Sequence, residues 1–278
     1  VEQGRPVRLS FDGWEKQRPT WSPDGQRLLV ARHDPRGSKI SLYLLDPGAP
    51  KTWTRLTRRD PPEYHGVFAP DGKSVLFASI SPSGTQGNVD LAVIAFPSEG
   101  QDAKVIVGDS GKLAHQDWPS WSPDGRRFVF SSTHEGNQEI YVANADGSHL
   151  VRLTRNPGYD AHPCWSVDDR IVFTTDRWSG LELAETSPEG GEAVRLTRSP
   201  GFDDYAAISP DGRRVAFVTN RDGNFEIGLI DRDGSGFVNL SRDPGRDTFP
   251  TWRPDGRVLT FVSDRSGEPE LYEIAIKP

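Results

Sequence analysis

Trp121-Ser122-Pro123-Asp124-Gly125 is a compact turn followed at once by the apolar run Phe128-Val129-Phe130. Proline presets φ for the first central turn position, Asp tolerates the second, and Gly accepts positive φ without steric cost. The unit returns as Trp21-Ser22-Pro23-Asp24-Gly25, Phe68-Ala69-Pro70-Asp71-Gly72, Trp165-Ser166-Val167-Asp168-Asp169, Ile208-Ser209-Pro210-Asp211-Gly212 and Trp252-Arg253-Pro254-Asp255-Gly256. Counted from positions 21, 68, 121, 165, 208 and 252, the steps are 47, 53, 44, 43 and 44 residues, the length of a four-stranded propeller blade. Each turn precedes a continuous apolar run, such as Leu28-Leu29-Val30-Ala31 or Val215-Ala216-Phe217-Val218, which reads as a strand buried on both faces. In the fourth unit Asp169 stands where the others have glycine, so it must accept a left-handed conformation.

The repeat fills the chain and sets one all-β domain: a β-propeller with blades at 18–57, 64–107, 117–154, 161–197, 204–241 and 248–276. The last blade lacks a fourth strand, ending on Leu271-Tyr272-Glu273-Ile274-Ala275-Ile276, while Arg5-Pro6-Val7-Arg8-Leu9-Ser10 at the other end matches the outer strands Val151-Arg152-Leu153-Thr154 and Val194-Arg195-Leu196-Thr197. The two deficits complete each other. Residues 5–10 are expected to join the sixth blade and close the ring. The insertion Ser81–Asn88 and the connection Gly108–Gln116 make the second blade irregular.

Composition narrows the function. The 28 Gly and 23 Pro suit a chain of many hairpins. A net charge of −7 with scattered Lys and Arg argues against a nucleic-acid partner. Cys164, the single cysteine, allows no internal disulfide and reads as a buried small residue between Pro163 and Trp165. No apolar stretch approaches the ~18 residues of a membrane span.

The turn units, the hairpins Asn220-Arg221-Asp222-Gly223-Asn224-Phe225-Glu226-Ile227 and Gly136-Asn137-Gln138-Glu139-Ile140-Tyr141, and the Asp-Gly-Ser turns followed by Arg-Leu-Thr resemble the WD40-like (PD40) repeats of the TolB propeller family. The resemblance covers essentially the whole chain and implies a six-bladed β-propeller of four-stranded antiparallel sheets. It also implies a bacterial protein of the periplasm, or a secreted one, that binds protein segments at the mouth of its central channel, as TolB binds the peptidoglycan-associated lipoprotein or colicin segments. The Gly-His and Trp-Asp dipeptides of seven-bladed WD40 proteins are missing. A monomer is expected.

The segments entering the innermost strands should rim the channel. They supply Glu63, His65, Asp117, Trp118, Asp160, His162, Asp203, Asp204, Tyr205, Asp247 and Phe249 as candidate binding residues, with Glu15-Lys16-Gln17-Arg18 in the first repeat. Three readings compete. Each Asp can cap a loop through backbone N–H groups. The ring can be an acidic funnel for a basic protein or peptide, anchored by Trp118, Tyr205 and Phe249. Converging carboxylates and imidazoles can hold a divalent cation such as calcium. An enzyme acting on a sugar or other small substrate is the alternative, with His162 and either Asp160 or Asp203 as acid and base. Asp231-Arg232-Asp233-Gly234-Ser235-Gly236 imitates a calcium loop but has Arg242 at the place of the bidentate Glu, so a hairpin turn is expected. Gly108-Asp109-Ser110-Gly111 reads as a loop, and no Gly-x-Ser-x-Gly elbow occurs. No catalytic residue and no resident cofactor are assigned.

Overall fold

The computed structural model describes residues 4–35, 39–57, 60–81, 88–97, 102–108, 113–199 and 201–276. Most of the 81–88 insertion and residues 109–112 of the following connection lie outside that set. The described strands form six sheets of four, each antiparallel throughout. The innermost strands are Glu15–Trp21, Glu63–Phe68, Gln116–Trp121, Asp160–Trp165, Asp203–Ile208 and Asp247–Trp252. Each ends on its repeat aromatic or aliphatic residue.

Six apolar clusters hold the ring, one between each pair of neighbouring blades. Trp21 packs with Leu28, Val30 and Leu45 of its own sheet and with Val262 and Leu271 of the sixth. Phe68 does the same between blades one and two, and Trp165 between three and four. The second strands between them are almost wholly buried, as the continuous apolar runs require.

The turn chemistry repeats in detail. Ser122 Oγ donates to Asp124 Oδ1 at 2.7 Å and accepts from Arg127 N at 3.0 Å, while Gly125 N donates to Ser122 O. Asp169 takes φ of 58°, and its Oδ1 accepts the Trp165 indole N–H at 2.8 Å. The five glycines pack against the preceding turn: a Cβ at Gly25 would lie 3.6 Å from Pro254, at Gly125 3.5 Å from Pro70, and at Gly212 only 2.9 Å from Val167. The turns thus form a collar around one end of the channel.

Closure follows the expectation. Val7 and Arg8 pair antiparallel with Glu273 and Tyr272, and Leu9 N donates to Leu271 O at 2.7 Å. The Arg-Leu-Thr ending now has a physical reason. In the third blade Arg152 Nη2 lies 2.7 Å from Oε1 of the wholly buried Glu139, and Thr154 Oγ1 donates to its Oε2 at 2.5 Å. Arg195 grips Glu182 likewise. In the sixth blade Arg8 Nη2 and Ser10 Oγ bring the same grip to Glu270 from about the other end of the chain. A buried carboxylate needs both a counter-charge and hydrogen bonds.

Candidate functional site

Each innermost strand carries a bulge three residues before its repeat position, between Gln17 and Thr20, Tyr64 and Val67, Asp117 and Ser120, Ala161 and Cys164, Asp204 and Ala207, and Thr248 and Thr251. At that place Arg18, His65, Trp118, His162, Tyr205 and Phe249 all have φ between 40° and 56°. Left-handed backbone is costly for such side chains. A bulge re-aims the side chain out of the sheet, and here all six point to the axis.

There they pack into one plug. The Trp118 ring lies 4.3 Å from His65, 4.5 Å from His162, 5.0 Å from Tyr205 and 6.0 Å from Phe249, centroid to centroid. Tyr205 touches His162 and Phe249 as well. The Arg18 guanidinium covers the Trp118 ring at 4.4 Å. Two carboxylates fix the imidazoles: Asp117 Oδ1 lies 2.5 Å from His65 Nδ1, and Asp204 Oδ1 lies 2.7 Å from His162 Nδ1. Each also accepts the backbone N–H of its own neighbour, Trp118 or Tyr205.

The remaining carboxylates do not line an opening. Asp160, Asp203 and Asp247 are wholly buried and engaged by Arg177, Arg221 and Arg265, which follow the next strand of the same blade. Glu63 is also wholly buried, and accepts the Thr57 hydroxyl. The acidic mouth is corrected accordingly: Asp160, Asp203 and Asp247 are internal counter-charges to arginines and Glu63 is a buried acceptor for a hydroxyl, because burial without such partners would be prohibitive. The pairing of His162 with Asp160 or Asp203 is corrected too, since its partner is Asp204 of the next blade. Among the described residues no group of three or more His, Cys, Asp or Glu is placed to hold a metal ion, so the calcium reading finds no ligand set there. Asp233 accepts Ser235 N and Oγ, which makes 231–234 a hairpin turn.

A cavity of about 530 Å³ lies between the plug and the collar. Its floor is Arg18, Trp118, Tyr205 and Phe249; its rim is Pro23, Pro70, Pro123, Pro210 and Pro254. The wall comes from the position just before each repeat residue, where Thr20, Val67, Ser120, Cys164, Ala207 and Thr251 are all small. Every lining residue lies at or beyond the plug position, which sets the cavity on the turn side of the plug. Cys164 is half-buried against this space, not fully enclosed as its apolar neighbours suggested, and burial pushes its thiol up from the ordinary value. Sequence reading named five of the plug residues as candidate binding residues and put Arg18 only in the rimming segment of the first repeat; it missed the cavity and its collar. The signal was present: all six plug residues stand at a constant offset from the repeat position.

Burial lowers the His65 imidazole in the fold, against the pull of Asp117. Asp117 is itself held below the usual carboxylate range, its desolvation outweighed by His65 and the Trp118 N–H. For both groups the unfolded chain takes up the proton first as pH falls. Stability is full above the ordinary imidazole value of about 6.5 and is lost on acidification, first through His65 and then, below the ordinary carboxylate value, through Asp117. Melting temperatures are therefore expected to fall from pH 7 to 5 and again below pH 4, with the first step reduced in His65→Gln; a melt that rises on acidification would contradict this assignment.

The architecture defines a six-bladed propeller closed by its N-terminal strand, with a plugged channel and one collared cavity. A family model described as the TolB beta propeller domain (PD40) matches residues 102–205 and 196–278, more than half of the sequence. The chain belongs to the TolB β-propeller family. An uncharacterised protein of Agrobacterium fabrum is 31% identical over 154 residues, covering 55% of this chain and 48% of that protein. The Tol-Pal system protein TolB of Geobacter sulfurreducens is 46% identical over 43 residues, 16% of this chain and 10% of its own length. The chain thus matches about half or less of these relatives' length. The solved structure of a protein from Agrobacterium tumefaciens, assigned provisionally to TolB, superposes with a TM-score of 0.75 at 21% identity over 97% of this chain and 93% of that one.

Proposed function

We propose that this propeller is a non-enzymatic binding module that takes an extended protein segment into the collared cavity on its turn face, in a bacterial periplasm or outside the cell. The observation that carries the reading is the cavity itself. It has a rigid aromatic floor, proline walls that present apolar surface at little entropic cost, and a volume in the range of ligand sites. The groups with acid and base chemistry, His65 with Asp117 and His162 with Asp204, are taken up in positioning the plug. Membership in the TolB propeller family supports the same reading, since the name of the Geobacter relative assigns it to the Tol-Pal system.

Cys164 offers a test without mutation, because it is the only cysteine and lies in the cavity wall. Linear peptides selected on the protein from a displayed library should slow alkylation of Cys164 by N-ethylmaleimide. Prior alkylation should in turn weaken their binding by about tenfold or more, the cost of losing roughly 1.4 kcal/mol of contact. Selected peptides that bind equally well to the alkylated protein would place binding elsewhere and overturn the proposal.

A further inference from the structure

The floor of the cavity holds a guanidinium that makes no ion pair among the described residues. Arg18 Nη2 donates to Pro119 O at 2.7 Å and Nη1 to His65 O at 3.3 Å, and the group stacks on Trp118. Nearly every other arginine near the inner strands meets a carboxylate: Arg177 with Asp160, Arg221 with Asp203, Arg265 with Asp247. Two carbonyls leave donors of a guanidinium unused, and Arg18 reaches the cavity among walls that are otherwise proline, aromatic and small. Desolvation lowers its pKa to about 10, with Asp117 only partly offsetting this. A charge only partly compensated and facing an apolar space is complementary to an anion that brings its own apolar surroundings.

The plug decides which anion. The six side chains of the plug, Arg18 among them, meet around Trp118 and close the channel at the cavity floor, so a polypeptide cannot thread through the ring. What reaches the floor in extended form has to end there. An amino terminus would bring a positive charge against Arg18, whereas a carboxyl terminus brings the matching one. We infer that the cavity receives the free C-terminal carboxylate of an extended protein partner, held by Arg18, with the last few apolar side chains against the proline collar. The inference rests on the reading of the cavity as a peptide site and adds the chain end and its polarity.

The test uses two acetylated hexapeptide libraries, apolar in the last three positions, one ending in the free acid and one in the amide, immobilised through the N-terminal side. The wild-type protein should be retained about ten- to hundredfold more strongly by the acid form, the worth of a charge-assisted hydrogen bond in a dry site. This arm needs no variant. The preference should be partly kept in Arg18→Lys and lost in Arg18→Gln, each compared at a temperature well below its own melt. Equal retention by the two libraries, or retention that follows an internal Asp or Glu in both, would overturn the chain-end inference while leaving the peptide site standing. An acid preference that persists in Arg18→Gln would assign the carboxylate to another group and overturn it as well. Retention by neither library would sink both readings.

Discussion

Trp118→Ala should cost about 3–5 kcal/mol of stability, the range for removing a buried aromatic from a core that cannot collapse around the gap. Trp118 is 6% exposed and touches the other five plug residues, one from each blade. Its φ of 56° is unfavourable for Ala as well as Trp, so the substitution leaves the backbone strain in place and reads out the lost packing. Trp118→Gly relieves that strain and should recover some of the loss, by about 1 kcal/mol. Opening the plug also joins the cavity to the opposite face, so alkylation of Cys164 should quicken. Urea unfolding and thiol labelling measure the two effects; a stability loss under about 1 kcal/mol would mean that the ring does not depend on its central indole.

Removal of residues 4–10 is the second large effect. Those residues supply the fourth strand of the last blade, together with two of the groups that hold Glu270. Without them Glu270 keeps Lys16 Nζ at 3.0 Å and the Gly13 N–H, and the edge formed by Glu270–Ala275 is left open. Loss of two partners of this buried carboxylate together with the closing strand is expected to cost about 3–5 kcal/mol. For a domain of this size that corresponds to a melting temperature lower by about 10 °C or more. The double variant Arg8→Ala with Ser10→Ala isolates the side-chain part and should give a smaller drop in the same direction. A truncated protein that melts like the full chain would refute the closure of the ring by its N-terminal strand.

The architecture was legible because the repeat writes it out six times. The spacing of the turn units fixed the blades, and the match between Val7-Arg8-Leu9-Ser10 and the Arg-Leu-Thr endings fixed the closing strand, both found as expected. Even the strained turn at Asp169 was readable, from the glycine it replaces. The site was legible by position and misleading by character. His65, Trp118, His162, Tyr205 and Phe249 do meet at the axis. Their acidic neighbours look equivalent along the chain, yet Asp117 and Asp204 reach histidines of the preceding blade while Asp160, Asp203 and Asp247 bind arginines of their own. A shift of one residue across a strand exchanges its two faces, so adjacent aspartates such as Asp203 and Asp204 part company.

By itself the sequence determined the number of blades, the order of strands within them and the joining of the two ends, because these follow from local turn chemistry and from strands whose apolar runs admit one kind of burial. Only the tertiary structure decided what the channel is. The plug arises where six bulges bring residues about 45 positions apart onto one axis, and the cavity arises because the side chains of the next turn of wall are small. Both are properties of the space between blades, which no single repeat contains.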